Sequence, residues 1–445
     1  MTGVISEFGR IPSANKPDVV ATMFDFLALA VMRRVVIFGT LHLTDAGGTT
    51  HRLGGSADGP DAHITVKDSR TLWRLMMQPD LAFGEAYMDG RLVVPEDGLE
   101  PLVALLMQNS AHWARHWSGR ATLTIGHCMA WLRHLNLPGR SRRNVAHHYD
   151  LTDELFASFL DPWRQYSCGY FHTAKDSLDQ AQVTKLARLA AKLNLAEGNS
   201  VLDIGCGWGG LARALASCRD NVAVTGITLS EQQFAYARQA AADAGLDDRL
   251  NFALRDYRHQ SGQFDRIVSV GMLEHVGPRG LPVFFNKVRT SLAPGGVALI
   301  HTIAVHHRAR PVNRWLTRYI FPGGYLPSIQ QLMKASEGRG LKVLDMEVMR
   351  GHYAETLRHW RLRFQQHDER MTEIHDARFV RMWNFYLLGC EYFFRCQHGM
   401  VVQLQLSDNH NAVPESRSFI SNLENDFRNR LCRNVPSGKT SHSAT

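Results

Sequence analysis

The stretch Asp203-Ile-Gly-Cys-Gly-Trp-Gly209 has the residue types of a ligand-binding turn at a strand end. Ser200-Val-Leu-Asp-Ile204 reads as a strand before it, and Trp208 to Ser217 as a helix after it. Gly205 and Gly207 let the backbone turn tightly and approach a ligand with no Cβ in the way. Gly205, Gly207 and Gly210 would also match the glycines of a dinucleotide site, which wants an acid about 20 residues further on for a ribose hydroxyl. The second strand, Asn221 to Thr228, instead runs into Leu229 and Ser230, and the first acid, Glu231, is already inside a helix. A dinucleotide is therefore disfavoured. Asp203 before the first glycine and Asp256 after the third strand fit S-adenosylmethionine better, with Asp256 near the adenine amine. Asp256 also reads as an ordinary cap or turn residue. Glu274 and His275 follow Val268-Ser-Val-Gly-Met-Leu273, and His301 ends Gly296-Val-Ala-Leu-Ile-His301. Strand ends of this kind are where sites form in open sheets, although a lone histidine there is more often a satisfied core residue.

The surrounding pattern alternates strands and helices. Leu250–Leu254, Phe264–Val270 and Gly296–His301 read as strands, and 230–244 and Leu281–Leu292 as helices. Such alternation implies a doubly wound parallel sheet covered on both faces. Two late strands, Leu341–Asp345 and Met400–Leu406, are placed to close its edge. The chain divides into an N-terminal α+β and helical module over 1–110, a connector over 111–143, a main domain over 144–430 and a polar, disordered tail over 431–445.

Of 445 residues, 44% are hydrophobic and 21% charged, as in a folded globular protein, and the net charge is +8. That balance favours an anionic partner, either nucleic acid or a membrane surface. Residues 101–149 hold six arginines and no Asp or Glu, with Trp113, Trp117 and Trp131 interleaved. Such a segment suits an anionic lipid surface, and it equally suits a connector whose arginines are merely solvated. The apolar run Val19–Leu43 is interrupted by Asp25, Arg33 and Arg34, so it reads as a buried or interfacial helix followed by a strand rather than a span. Seven scattered cysteines with no C-x-x-C pair argue against disulfides and a zinc site and fit a reducing cytosol, so no metal is expected.

Several motifs then occur in order: Asn144-Val-Ala-His-His-Tyr-Asp-Leu151, Gln165-Tyr-Ser-Cys-Gly-Tyr-Phe171, Leu202–Gly210, Gly226-Ile-Thr-Leu-Ser-Glu-Gln-Gln233, Glu274-His-Val-Gly277, His301-Thr-Ile303, Phe321–Pro327 and His352-Tyr-Ala-Glu-Thr-Leu357. Over roughly 144–407 the chain resembles the cyclopropane-fatty-acyl-phospholipid synthase family and its mycolic-acid-modifying relatives. Gly84-Glu-Ala-Tyr-Met-Asp-Gly-Arg91 resembles the extra module of the phospholipid-acting branch.

The resemblance implies a seven-stranded, Rossmann-like class I methyltransferase fold. It also implies a reaction: methyl transfer from S-adenosylmethionine to a cis double bond of a phospholipid acyl chain. An alkene is a poor nucleophile, so it must be held in line in a dry pocket. Transfer leaves a carbocation, and a base must take one proton from the new methyl before the ring closes. In the family that base is bicarbonate. Its ligands here would be Cys168, Glu274, His301, the Ile303 backbone and Tyr353, with Glu274 and His301 orienting the anion and moving a proton, the histidine titrating near neutrality. Cys390 matches a family cysteine and is expected to line the pocket without reacting. The implied cofactor contacts are Tyr166, Ser167, Asp203, Gly205, Gly207, Gly209, Thr228, Leu229, Ser230, Gln233, Asp256 and Tyr257, with Thr228 and Gln233 replacing the missing ribose acid. Leu273 stands where the family commonly has an aromatic, which bears on chain preference.

The expected setting is the cytoplasm, peripherally on the inner face of a phospholipid bilayer, with a homodimer left open and no nucleic acid. No Asn/Asp-Pro-Pro-Tyr/Phe sequence of a base-flipping methylase follows the fourth strand. Two alternatives remain: a methylene- or methyl-branched lipid product, and a membrane-binding protein with an inactive methyltransferase domain.

Overall fold

A computed structural model describes residues 19–55, 58–115, 152–306, 309–396 and 399–436. The connector beyond Arg115, the motif residues 144–151 and the tail from 437 lie outside the described residues.

The N-terminal unit comprises α1 (Val19–Val35), β1 (Thr40–Thr44), β2 (Thr50–Gly54), β3 (Asp61–Val66), α2 (Ser69–Met77), α3 (Pro79–Met88), β4 (Leu92–Val93) and α4 (Leu99–Arg115). The expected boundary at 110 falls inside α4. Its sheet runs β2-β1-β3-β4, with β1 and β3 parallel and the other pairs antiparallel. Along β3, Ala62, Ile64 and Val66 are buried while Asp61, His63 and Thr65 are exposed. This period of two gives the sheet one packed face, under α1, α2 and α4, and one open face.

The main domain follows with α5 (Asp153–Phe159), α6 (Leu178–Lys192), β5 (Ser200–Ile204), α7 (Gly210–Cys218), β6 (Ala223–Thr228), α8 (Glu231–Asp243), β7 (Leu250–Leu254), β8 (Phe264–Val270), α9 (Leu281–Ser291) and β9 (Leu292–Val305). Next come β10 (Arg310–Pro311), α10 (Arg314–Tyr319), β11 (Tyr325–Leu326), α11 (Ile329–Glu337), β12 (Lys342–Met349), α12 (His352–Gln365), α13 (Asp368–Ile374), α14 (Ala377–Cys396), β13 (Gly399–Ser407) and α15 (Ser418–Arg433). The sheet order is β12-β13-β9-β8-β5-β6-β7. β5 to β9 are parallel, and β13 pairs antiparallel with both β9 and β12. The two late strands thus close the edge as their sequence patterns imply. The chain runs outward from β5 through β6 to β7, then returns to the other side of β5 as β8. That reversal is the topological switch point, where ligands bind in such sheets.

α6, α7, α8 and α15 cover one face through Leu186, Leu215, Ala237 and Phe427. α9 and α11 cover the other through Phe284, Phe285 and Leu332. A third cluster, rich in aromatics, gathers α5, α12 and α14 around Phe156, Trp360 and Trp383.

The Gly84–Gly90 motif forms much of α3 and binds the main domain. Glu85 accepts from Tyr319 Oη at 2.9 Å and from Arg318 at 3.1 Å. Arg381 donates to the Met88 carbonyl at 2.8 Å, and Arg378 reaches Asp89 at 2.8 Å. Gly84 lies flat against the indole of Trp315, which is buried. A Cβ there would enter the ring, so Gly84→Ala is expected to cost about 1–3 kcal/mol through overpacking. Thermal unfolding should show a lower midpoint, and limited proteolysis should release the N-terminal unit sooner. Wild-type values for both would sink this account of the glycine.

Candidate active site

The glycine turn lies at the switch point. Gly205 has φ +82°, and a Cβ there would stand 2.9 Å from the Met272 side chain, so only glycine fits. A cavity of about 420 Å³ opens above it. Ten of the twelve expected cofactor contacts line this cavity: Tyr166, Ser167, Asp203, Gly205, Gly207, Thr228, Leu229, Gln233, Asp256 and Tyr257. The other two do different work. Gly209 caps α7 at φ +76° and packs against Ala237 and Phe252, and Ser230 caps α8 by accepting from the Gln233 amide at 3.3 Å. Thr228 donates to Gln233 Oε1 at 3.0 Å, so the pair proposed to replace the ribose acid is preorganised. Asp256 is both cavity wall and turn cap. Burial alone would raise its carboxyl, but bonds from the Arg258 guanidinium and amide hold it below the ordinary value.

Beneath the cavity lies a buried polar network that the sequence did not reveal. Asp161 accepts from the Trp163 and Gln165 amides, each at 2.9 Å, and so shapes the segment that delivers Tyr166 and Ser167. Lys185 of α6 is fully buried and donates to Gln165 Oε1 and, at 3.0 Å, to Ser167 Oγ. Burial pulls the ammonium down to about 8, against the charges of Asp161 and Asp203. Burial pushes Asp203 up to about 7, with Lys185 opposing. One oxygen of Asp203 is buried with no hydrogen-bond partner. A carboxylate so placed in the cavity wall fits a cationic ligand, and S-adenosylmethionine carries a sulfonium and an ammonium.

Behind Tyr166 lies a buried cluster rich in aromatic residues. The Tyr166 hydroxyl meets that of Tyr386 at 2.7 Å, and its ring stacks on Trp360 at 5.1 Å. Tyr353 lies against Trp360 and Phe394, and its hydroxyl shares an electrostatic neighbourhood with Tyr166, Cys168, Cys390 and Glu274. Glu274, in a short 3-10 turn after β8, accepts from the Ile303 amide at 2.6 Å. Its second oxygen is buried without a hydrogen-bond partner. Burial raises the Glu274 carboxyl above its ordinary value, against the Ile303 amide and the Thr302 hydroxyl. Burial raises the Cys168 thiol well beyond its usual range and the Cys390 thiol to about 12, so both are neutral and poor nucleophiles. The structure therefore brings Cys168, Glu274, Ile303, Tyr353 and Cys390 together. The Ile303 amide, expected to face an anion, is taken by Glu274.

His301 departs from expectation. It lies on the same face of β9 as Ile303, with Nδ1 3.2 Å from Gln403 Nε2. Burial, then the charges of Lys185 and Lys192, push its imidazole down to about 3. It does not titrate near neutrality and acts as a neutral imidazole. The residues that sequence reasoning missed are Lys185, Asp161, Tyr386 and Trp360. The one local signal was a lysine amid the apolar residues of α6.

A doubly wound seven-stranded sheet with this turn at its switch point defines an S-adenosylmethionine-dependent methyltransferase of class I. The Mycolic acid cyclopropane synthetase family model matches residues 138–404. The chain is 38% identical over 357 residues to the cyclopropane-fatty-acyl-phospholipid synthase of Escherichia coli K12, covering 80% of this chain and 89% of that one. It is 35% identical over 399 residues to the tuberculostearic acid methyltransferase UfaA1 of Mycobacterium tuberculosis, covering 85% and 90%. Among solved structures it is similar to the cyclopropane synthase MmaA2 from M. tuberculosis, at TM-score 0.57 and 33% identity, covering 60% of this chain and 97% of that one. The mycolic acid cyclopropane synthase CmaA1, solved with SAH and CTAB, matches at TM-score 0.57 and 32% identity over the same shares. The chain belongs to the mycolic acid cyclopropane synthetase family and is an S-adenosylmethionine-dependent methyltransferase of the cyclopropane synthase kind.

A cationic ligand beside Asp203 favours the carboxylate, so binding at or below pH 7 should release a proton. Affinity for S-adenosylmethionine is then expected to fall as pH drops from 8 to 6. Titration calorimetry in buffers of differing ionisation heat reads the proton directly, and zero release at pH 6.5 would contradict the assignment. Lys185→Met should weaken binding at least tenfold, about 1.4 kcal/mol, and lower thermal stability, because it leaves buried carboxyls without their cation. A folded variant with wild-type affinity would remove Lys185 from the cofactor site.

Proposed function

We propose that this chain methylates a cis double bond in a phospholipid acyl chain and closes a cyclopropane ring. The observation that carries this reading is the buried aromatic cluster beyond Tyr166, which holds Tyr353 with Glu274 close enough to act on it. An alkyl chain fits such a wall, and the exclusion of water protects a carbocation. The methyl donor, when bound, supplies an electrophilic methyl. Tyr166, at the border between cavity and aromatic space, is placed to fix the approach of donor and acceptor.

Bicarbonate would be held by Glu274, Tyr353 and Cys168, with His301 as a neutral partner, and would supply a small exchangeable base. The donor set supports this. Tyr353 and Cys168 are held in their protonated forms; Tyr353 has a proton to give to an anion, and the Cys168 thiol, which donates to the Gly169 carbonyl at 3.2 Å, would turn to do the same. Glu274 already lies above its ordinary pKa, and a neighbouring anion would favour its acid form further. Its unpartnered oxygen is then a donor aimed at the anion. Glu274→Gln, which keeps size but lacks the acid, is expected to lower turnover about 10²–10⁴-fold with cofactor affinity nearly unchanged. Labelled S-adenosylmethionine, vesicles of unsaturated phospholipid and mass spectrometry of the released acyl chains measure it. Full activity in the variant would exclude Glu274 from proton handling.

UfaA1 supports a second reading, in which the product is methyl-branched. The same spectra separate the products. Gain of one CH2 with loss of the alkene marks the ring, the same gain with an alkene retained marks methylene branching, gain of CH2 and two further hydrogens in the presence of an added reductant marks the methyl branch, and no label in lipid rejects all three.

The bilayer contact we place on the N-terminal unit. No described helix is long and apolar enough to cross a membrane. Phe26 is 73% exposed, and Leu27, Ile37 and Phe38 are exposed as well, beside the exposed Arg33 and Arg34. Asn109 fixes this surface through bonds with the Ile37 and Phe38 amides and the Phe38 carbonyl, at 2.8, 3.0 and 2.9 Å. Exposed aromatics with flanking cations suit an anionic interface. Phe26→Ser with Phe38→Ser should reduce sedimentation with anionic vesicles several-fold while leaving the fold intact. Undiminished sedimentation would move the contact elsewhere.

A further inference from the structure

The open face of the N-terminal sheet carries a second cluster of chemistry-bearing side chains. β1 and β3 run parallel, with His42 and His63 in register and Asp61 two residues before His63 on the same face. Asp61 Oδ1 lies 3.2 Å from His42 Nε2 and 3.7 Å from His63 Nε2. The two imidazoles are stacked, centroids 4.3 Å apart and planes 5° from parallel. All three ligand atoms fall within 4.8 Å of one another, and this is the one such group of His, Cys, Asp or Glu among the described residues.

We propose that His42, Asp61 and His63 form a binding site for a divalent first-row cation of the zinc class. Zinc takes imidazole nitrogen and carboxylate oxygen at about 2.0–2.2 Å in tetrahedral geometry. That geometry sets ligand atoms about 3.3–3.5 Å apart, close to both nitrogen–oxygen separations seen here. The nitrogen lone pairs lie in the stacked ring planes, so an ion requires His63 to turn out of the stack as the gap between the nitrogens closes, and its exposed side chain leaves room for that rotation. Both histidines lie on paired strands, so the backbone positions of the ligands are set before any ion arrives. The fourth position faces a cleft of about 310 Å³ walled by Thr44, Thr65, Val94 and Pro95, with space for water or a small ligand. Arg52 of β2 stands opposite His42 and is exposed, so its opposing charge is screened by solvent. None of these residues lines the cofactor cavity. A bound ion would clip the first strand to the third across the parallel pair. Cysteine spacing could not reveal the site, because its ligands are histidines brought together only by strand pairing.

The test uses the full chain stripped with a chelator and dialysed, then titrated with Zn²⁺ by calorimetry and with Co²⁺ by visible absorption. The expected result is one ion per chain at micromolar affinity or better, a tetrahedral Co²⁺ spectrum and a raised melting temperature. His63→Ala, at an exposed position, should weaken binding at least tenfold, and Asp61→Asn should do so with the size of the side chain kept. Binding by wild type equal to that by both variants would overturn the proposal, as would an octahedral spectrum unchanged by either substitution.

Discussion

One buried cation organises the catalytic half of this molecule. Lys185 is fully enclosed in α6, and taking an ammonium out of water costs several kcal/mol unless partners compensate. Its partners come from two separate stretches. Gln165 and Ser167 accept its protons, and Asp161 and Asp203 supply opposing charge. The 161–168 segment, the end of β5 and helix α6 are thereby held to one point. Gln165, Ser167 and Asp203 also line the cofactor cavity, so the partners that compensate the buried ammonium are the groups that shape the cavity wall. Lys185 also reaches past the cavity, since its charge is felt by Cys168 and His301. Occupancy of the cofactor site therefore bears on the groups proposed for the proton step.

The parts of this arrangement that could be read from sequence are those fixed by local geometry. Gly205 and Gly207 need positive φ, and their neighbours alternate as a strand and then a helix, so the turn announces itself within ten residues. The antiparallel edge strands showed as short apolar runs. The aromatic space behind Tyr166 was illegible for the opposite reason. Its walls come from α5, α12 and α14, far apart along the chain, and Trp360 or Tyr386 on an amphipathic helix looks like any core aromatic. The family motifs placed Tyr353 and Glu274 there; the residues alone did not. His301 shows a different limit. Its position was readable but its protonation was not, because that depends on burial and on two lysines of another helix.

Glycine and aromatic residues also shape the junction with the N-terminal unit. The Gly84–Gly90 stretch has little meaning as a local pattern, since a glycine inside a helix normally costs stability. Its use is in the contact: the bare Cα of Gly84 lets Trp315 approach, and Glu85 then draws in Arg318 and Tyr319. The unit that carries the exposed Phe26 and Phe38 is thus tied to the elements α10 and α14, and Tyr386 of α14 is the partner of Tyr166. The unit proposed to meet lipid is therefore packed against the helix that supplies Tyr386 to the aromatic cluster.

Burial sets the protonation of the groups around the aromatic cluster. Glu274, Cys168, Cys390 and Tyr353 are all pushed toward their neutral forms by burial, and His301 is pushed toward neutral imidazole. The direction of the shift differs between acids and bases, yet the outcome is the same absence of charge. A carbocation is captured by whatever nucleophile is nearest, and thiolate, carboxylate and water are all capable. A pocket that keeps its thiols protonated, raises its carboxyl and excludes solvent removes each of them in turn. In the adjoining cavity burial also drives Asp203 and Lys185 toward neutral, but each opposes the other's shift, and a cationic donor would favour the Asp203 carboxylate. The 161–168 segment lies between cavity and aromatic cluster, with Ser167 lining the one and Cys168 packed in the other.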